Sequence, residues 1–257
     1  MTASAAPRLI TIRLSHYCEK ARWGLDYTGA PYFEQAVAPP FHRLKRSAGG
    51  TVPVLVDGER RLGQSHDILV HADRTGRRRL YPDDPAALRA VQEHEQAFDK
   101  ELGPAVRRYC YWLLLGQTRL LSRVWSDGVP PWQAALMPAL APAVVALVKR
   151  SYRVTPDSAK RSFERVMQAW ARVEAQVTTK RWLVGNAFSA ADLTLCALSA
   201  PMVLAPEYGG SMPHLDELPA GSREGVEALR KTVVGAHVMR TYATLRHQHG
   251  ADAQAPG

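Results

Sequence analysis

The spacing of hydrophobic and polar positions changes once along the chain. In the first eighty residues, short apolar runs of β-forming residues alternate with segments of helical spacing. Glycines follow both helical segments, as expected at helix ends. The predicted strands are "LITIRL", "YFEQAV", "VPVLVD" and the short "GERRLG", and the predicted helices are "CEKARWGLDYTG" and "SHDILVHADRTG". The pattern therefore predicts a βαβ unit followed by a ββα unit.

From Pro85 onward the spacing is helical throughout. Apolar residues recur every three or four positions from Leu88 to Leu113, and Gly103-Pro104 predicts a kink within that stripe. A second stripe runs from Phe163 to Val177. The polar, proline-bearing "RRRLYPDDP" separates the two patterns and reads as a linker. We therefore predict two domains, a small α/β domain over residues 1–82 and an all-helical domain over residues 86–257.

One segment of the helical half, Trp132 to Val148, is strongly apolar. Pro138 and Pro142 interrupt it, and it is shorter than the ~20 residues that a membrane-spanning helix needs. We expect a buried, kinked helix or a pair of helices here. Contact of this segment with a membrane interface is the alternative, although we favour a protein without a membrane partner.

Composition and charge narrow the function classes. Hydrophobic residues make up 46% of the chain and charged residues 22%, enough for a sizeable core and a soluble surface. The net charge of +9 predicts a solvated basic surface, with an anionic small ligand as the alternative. The densest basic cluster, "RTGRRR", contains no aromatic residue that could stack on a base. Nucleic acid is therefore not an expected partner.

Cysteines and histidines restrict the chemistry further. The three cysteines are far apart in the sequence, which argues against a disulfide framework and for a reducing compartment. The leader "MTASAAPR" lacks the features of a signal peptide, so we expect a cytoplasmic protein. The nine histidines show no metal-ligand spacing such as HExxH, and we predict no metal site.

Ser15 lies where the first predicted strand turns into the first helix, in "SHYCEKARWGL". Unpaired backbone N–H groups and the helix dipole make such a position favourable for an anion, including a thiolate. The alternative is that Ser15 serves only as an N-cap. The local sequence leaves both interpretations open.

Two further motifs fit a peptide-like anionic ligand. In "TVPVL", Pro53 begins a strand and suits a cis bond, which would leave the backbone of Val52 free to pair with an extended peptide. In "GQSHDI", Gln64 and Ser65 precede the second helix, where Ser65 is expected to cap the helix or to bind an anion. Taken singly, each motif is a turn or a cap. In sequence with Ser15, they predict a thiolate site, a backbone site and a carboxylate site.

These motifs resemble the soluble glutathione S-transferase family. "SHYCEKARWGL" resembles the active-site turn of the family, "TVPVL" its cis-proline segment and "LGQSHDIL" its γ-glutamyl motif. "WLVGNAFSAADLTL" resembles a helix-start motif of the second domain, in which Ser189 and Asp192 would form a capping box that supports folding. The resemblance implies a thioredoxin-like α/β N-terminal domain, an all-α C-terminal domain and a two-fold homodimer. It is weakest between Gly116 and Thr155.

The resemblance also implies residue roles around glutathione. Ser15 would donate a hydrogen bond to the glutathione sulfur without itself being a nucleophile. Tyr17 would line the pocket. The remaining expected contacts are Val52 and Pro53 for the cysteinyl backbone, Gln64 and Ser65 for the γ-glutamyl end, and His42 and Lys45 for the glycine carboxylate. The electrophile would lie against the helical domain around Arg107 to Trp112.

Three functions follow from this resemblance. The first is a glutathione transferase that conjugates the glutathione thiolate, as a co-substrate, to small hydrophobic electrophiles in detoxification. The second is a glutathione-dependent thiol–disulfide reductase that uses Cys18, which requires that Cys18 be exposed instead of buried and inert. The third is a binding protein without catalysis, because one fold can serve many roles.

Overall fold

A computed structural model describes residues 6–42 and 50–248 of the chain. The first domain contains β1 (Arg8–Thr11), α1 (His16–Thr28), β2 (Phe33–Ala36), β3 (Val54–Asp57), β4 (Arg60–Leu62) and α2 (Ser65–Thr75). The sheet order is β2-β1-β3-β4. β1 is parallel to β2 and antiparallel to β3, with Leu9 opposite Leu55. This confirms the predicted βαβ and ββα units.

Apolar residues explain how α1 and α2 pack on this sheet. Leu9 and Leu55 of the sheet form one buried cluster with Ala21 and Leu25 of α1 and Ile68 of α2. α1 ends where Gly29 adopts the left-handed conformation (φ 71°), which glycine accepts without a steric penalty. The result is the thioredoxin-like domain that the motifs predict.

The rest of the described chain is helical. The elements are α3 (Pro85–Ala97), a π-helical turn (Phe98–Leu102), α4 (Gly103–Leu114), α5 (Thr118–Ser126), α6 (Pro131–Ser151), α7 (Pro156–Thr179), α8 (Ala190–Val203), a 3₁₀ turn (Leu215–Glu217), α9 (Ala220–Lys231) and α10 (Val233–Leu245). The π-helical turn lies directly before Gly103, where the glycine–proline pair predicts a kink. A thioredoxin-like domain followed by an all-α domain is the predicted fold class.

α8 is the buried centre of the helical domain, and its start is fixed by Asp192. The Asp192 carboxylate accepts hydrogen bonds from the backbone N–H of Leu183 (2.8 Å) and of Ser189 (3.1 Å) and from the Ser189 hydroxyl (2.8 Å). The predicted capping box between Ser189 and Asp192 is therefore present. The preceding Phe188 packs among the rings of Trp23, Tyr27 and Trp182.

α6 differs from the sequence-based expectation. It is one continuous helix of 21 residues that contains both prolines, and it is not a buried helix or a pair of helices. Trp132, Leu136 and Leu147 are exposed. The prolines do not end the helix because they lie on its exposed face, where the carbonyls they leave unpaired can bond to water. Within residues 6–42 and 50–248, α6 is the one helix long and apolar enough to cross a membrane.

Candidate functional site

Ser15 lies between β1 and α1, and its hydroxyl does not cap the helix. Its N–H donates to the carbonyl of Ile12 (2.9 Å) and its carbonyl accepts from the N–H of Glu19 (2.9 Å), so Ser15 is the N-cap residue by backbone geometry. Its side chain makes no capping hydrogen bond. Ser15 borders a cavity of about 600 Å³. The interpretation of Ser15 as a simple side-chain cap therefore does not describe this serine.

Cys18 lies one turn into α1 and is fully buried. Its sulfur is hydrogen-bonded to the Ser15 side chain and the Ile12 backbone, yet burial raises the pKa of the thiol to about 11. A thiol in this state is protonated at neutral pH and has no access to a disulfide substrate. The exposure on which the reductase alternative depends is absent.

His16 and Tyr17 follow Ser15 and tie α1 to the helical domain. Burial, reinforced by the charge of Arg107, lowers the pKa of His16 to about 3, so its neutral ring donates Nε2–H to the carbonyl of Gly103 (3.0 Å). The Tyr17 hydroxyl donates to the carbonyl of Asp99 (2.8 Å). A Cβ on Gly103 would overlap the Tyr17 ring, so this close approach requires glycine.

The other two motifs lie at the edge of the same region. The Val52-Pro53 peptide bond is cis, as is Pro39-Pro40. Gln64 is the N-cap residue of α2, with extended backbone (φ −117°, ψ 140°), and Ser65 is the first helical residue. The expectation that Ser65 caps α2 is therefore wrong by one residue. The consequence is that the N–H groups of the first turn and the Ser65 side chain lie together at the start of α2.

The predicted site residues that the structure describes line two adjacent cavities. A polar cleft of about 810 Å³ and the more apolar cavity of about 600 Å³ share Tyr17, Thr51, Val52 and Arg107 in their walls. The polar cleft is bordered by Tyr17, Val52, Pro53, Gln64 and Ser65, and the apolar cavity by Ser15, Tyr17, His42 and Val52. Lys45 lies outside the described residues. The structure thus brings together all the expected contacts that it describes.

The polar cleft also has residues that the motifs do not predict. Glu95 of α3 borders it and is almost fully buried. Its carboxylate accepts from the hydroxyl of Tyr81 (2.8 Å) and lies 2.9 Å from Nδ1 of His66. Burial alone would raise the pKa of Glu95, but the His66 hydrogen bond and the Lys20 charge lower it to about 2. Glu95 comes from the second domain, and no local pattern marks it.

The helical domain contributes most of the apolar cavity. Arg107, Cys110 and Tyr111 of α4 line it, as expected, whereas Trp112 points away and is exposed. Further walls come from the end of α6, the last turn of α8 and the segment after α8: Val148, Ser151, Tyr152, Pro201, Leu204, Met212 and Pro213. Sequence reasoning missed these because they are brought in by tertiary packing. Over the described residues, no cluster of histidine, cysteine and carboxylate side chains could hold a metal ion.

Comparisons with solved structures show the same fold. A glutathione S-transferase from Xanthobacter autotrophicus is 19% identical, with a TM-score of 0.58 over 93% of this chain and 94% of the other. A glutathione S-transferase from Methylobacillus flagellatus with glutathione bound is 17% identical, with a TM-score of 0.55 over 91% and 98%. The maize glutathione S-transferase I in complex with an atrazine–glutathione conjugate is also 17% identical, with a TM-score of 0.56 over 92% and 99%.

Family models match the sequence itself, although no curated protein does. Residues 9–78 match the glutathione S-transferase N-terminal domain, and residues 136–219 match the C-terminal domain. The first match covers the sheet with α1 and α2, and the second runs from α6 to the 3₁₀ turn. Both domains, in this order and together over more than half of the sequence, place the chain in the glutathione S-transferase family.

Proposed function

We propose that this protein is a glutathione transferase that conjugates the glutathione thiolate to small hydrophobic electrophiles. The observation that supports this most is the position of the Ser15 hydroxyl. It makes no capping hydrogen bond to the backbone of α1, and Ser15 borders an apolar cavity that shares Tyr17 and Val52 with the wall of the polar cleft. A serine in this position can contact the sulfur atom of a ligand bound in the polar cleft. That sulfur atom can then react with a second ligand bound in the apolar cavity.

The polar cleft suits the peptide part of glutathione. The free N–H groups at the start of α2, with the Ser65 side chain, favour the γ-glutamyl carboxylate. Asp67 and Glu93 border the same cleft and can attract the ammonium group at that end of the ligand. The cysteinyl residue then lies along Val52 and Pro53, which places its thiol toward Ser15. His42 and Lys45 remain the proposed contacts of the glycine carboxylate.

The chemistry requires that the bound thiol ionise. A free thiol has a pKa of about 8.5, and the N-terminus of α1 together with the Ser15 hydroxyl donor favours the thiolate. The thiolate attacks an electrophilic carbon in the apolar cavity, the C–S bond forms, the bond to the leaving group breaks, and that group departs with the bonding electrons. The thiol proton has already left for solvent. Ser15 remains a hydrogen-bond donor throughout and forms no covalent bond.

Calorimetric titration with glutathione tests the site. We expect binding by the wild-type protein and weaker binding by Ser65→Ala, because a carboxylate contact is lost. Ser222→Ala, which changes a serine of α9 that borders neither cavity, is the matched control and should bind as the wild type does. Absence of binding at millimolar glutathione would contradict both enzymatic functions. Binding without conjugation of any aryl halide would leave the non-catalytic binding protein.

Assembly, location and domain boundary are separate proposals. A two-fold homodimer is expected from the family, and light scattering that reports a monomer at micromolar concentration would refute it.

A cytoplasmic location fits Cys18, Cys110 and Cys196, which are all free thiols, and cell fractionation checks it. The proposed domains end at residue 82 and begin at residue 86, within the first turn of α3. If this boundary is right, limited proteolysis should cut first in the linker just before α3.

A further inference from the structure

The described wall of the apolar cavity contains a basic side chain and no acidic one. Among its described lining residues there is no aspartate or glutamate, and Arg107 is the one arginine or lysine. His16, also in the wall, is neutral because burial and the Arg107 charge lower its pKa to about 3. Among the described lining residues, the permanent charge is therefore the positive charge of Arg107.

Arg107 is half-buried, and no carboxylate of the described residues pairs with it. Its guanidinium lies 4.3 Å from the centroid of the Tyr152 ring and 5.9 Å from that of Tyr17. The buried arginines have carboxylate partners: Arg22 pairs with Glu34 (2.7 Å) and Arg246 with Glu19 (2.6 Å). Arg108 and Arg230, half-buried as Arg107 is, donate instead to backbone carbonyls. Arg107, by contrast, makes neither an ion pair nor a hydrogen bond with another of the described residues, and its guanidinium lies over the two rings. At Arg107 the aromatic rings hold the side chain and leave its N–H donors for a ligand.

We propose that the second substrate is an aromatic electrophile that carries a carboxylate or similar anionic group, and that Arg107 binds this group. This inference rests on the proposed transferase function. The guanidinium can form two parallel hydrogen bonds to a carboxylate, and such charge-assisted pairs are stronger than neutral ones. Tyr111, which stacks on Tyr152 in the same wall, adds aromatic surface that a ring of the ligand can contact. Arg107 is then a specificity-determining residue of the apolar cavity.

A matched pair of aryl halides isolates the anionic group. We choose 4-chloro-3,5-dinitrobenzoate and its carboxamide, which share the ring and the reacting carbon. The glutathione thiolate attacks that carbon, the C–S bond forms, the C–Cl bond breaks, and chloride leaves with the bonding electrons. Each kcat/KM is divided by the uncatalysed rate constant of the same compound, because the two differ in intrinsic reactivity. The corrected ratio then reports recognition by the protein.

We expect the wild-type protein to favour the carboxylate by about tenfold or more, the range that charge-assisted hydrogen bonds give. Arg107→Gln should remove this preference, and Arg107→Lys should retain part of it. Arg161→Gln is the control, since it removes one positive charge from an exposed position of α7 and touches neither cavity. It should keep the wild-type ratio. An equal corrected rate for the two compounds in the wild-type protein would overturn the inference.

Arg107 also borders the polar cleft, so its effect on glutathione must be measured separately. If Arg107→Gln weakens glutathione binding and slows both compounds equally, Arg107 belongs to the glutathione site and the inference fails while the proposed function stands. Calorimetry with the two S-aryl glutathione conjugates, carboxylate and carboxamide, decides the matter even without turnover. Tighter binding of the carboxylate conjugate that depends on Arg107 supports the inference, and equal or absent binding overturns it.

Discussion

Lys20 of α1 and Glu95 of α3 form an ion pair, with 2.8 Å between Nζ and Oε1, that is buried between the two domains. Lys20 Nζ also lies 2.6 Å from the Asp99 carboxylate. Glu95 and Asp99 both border the polar cleft, and the Asp99 carbonyl accepts the Tyr17 hydroxyl. This one lysine therefore fixes the first helix of the small domain against the wall that the helical domain gives to the cleft.

Lys20→Met should be strongly destabilising. It leaves Glu95 and Asp99 without their cation in a buried place, and breaking such a pair costs roughly 3–5 kcal/mol in the free energy of unfolding. Arg172→Met breaks an exposed pair with Glu101 and should cost less than about 1 kcal/mol. Urea denaturation of both variants checks the difference. A similar loss in the free energy of unfolding for the two variants would show that the buried pair stabilises the fold no more than the exposed pair does.

Glu95 should contribute to unfolding at acid pH. Its pKa is about 2 in the folded chain, against about 4.3 in an unfolded one. The ionised Glu95 carboxylate therefore contributes its full stabilisation of the folded state above pH 4.3. This contribution declines as the pH falls toward 2, where the folded form also takes up the proton. Glu95→Gln should lower stability at pH 6 and flatten its dependence on pH between 4.5 and 2. An unchanged slope in denaturant titrations across that range would contradict this assignment.

The native protein should show no fast-reacting thiol. Burial raises the pKa of Cys18 to about 11 and that of Cys110 to about 12, and it raises the pKa of Cys196 as well. Titration with a chromogenic disulfide at pH 8 should be slow on the folded chain and should count all three thiols in guanidinium. One thiol that reacts at once in the native state, and that is lost in Cys18→Ala, would revive the reductase function.

Asp192→Ala should damage folding and leave the site chemistry alone. The variant removes the acceptor of three buried hydrogen bonds at the start of α8, and each buried donor left unpaired costs about 1–3 kcal/mol. We expect a loss of several kcal/mol in the free energy of unfolding. The folded fraction should still bind glutathione with the wild-type affinity. A weaker affinity per folded molecule would mean that Asp192 also shapes the cleft.

The sequence predicted the fold well where the signal is local. Short apolar runs of β-forming residues and segments of helical spacing identify the strands and helices of the first domain, and the capping box of Ser189 and Asp192 marks the start of α8. α6 shows the limit. Pro138 and Pro142 are helix breakers in general, and only the structure shows that both lie on the exposed face of a continuous helix.

The residues of the candidate site also fall into those that local sequence predicts and those that only the structure shows. Ser15, Val52 and Ser65 lie at strand–helix junctions or before strands, where position in the sequence implies position in the fold. Glu95 and Arg107 come from another domain, and their importance depends on partners that are distant in sequence: Glu95 has Lys20, while Arg107 has aromatic rings and no carboxylate among the described residues. Charge pairing across domains leaves no periodic trace, so neither role could be read from the chain.

Ser15→Ala and Cys18→Ala together decide which residue of "SHYC" acts on the bound thiol. Removing the Ser15 hydroxyl deletes one hydrogen bond to a thiolate, worth roughly 1.5–3 kcal/mol or about one to two pKa units. The pKa of bound glutathione should rise by that amount. Conjugation of an aryl halide at pH 7 should fall about ten- to a hundredfold and recover partly at higher pH, because more thiolate then forms without the donor.

Cys18→Ala is the matched control, since it removes the buried neighbour of the Ser15 side chain and leaves the hydroxyl in place. Its kcat/KM should stay within about threefold of the wild type, with the ionisation limb of its pH profile unmoved, because a thiol protonated at neutral pH supplies no nucleophile. If Cys18→Ala abolishes activity while Ser15→Ala keeps the wild-type pH profile, the thiolate-stabilising role assigned to Ser15 is wrong. Ionisation of bound glutathione, followed by thiolate absorbance near 240 nm, separates the two cases directly.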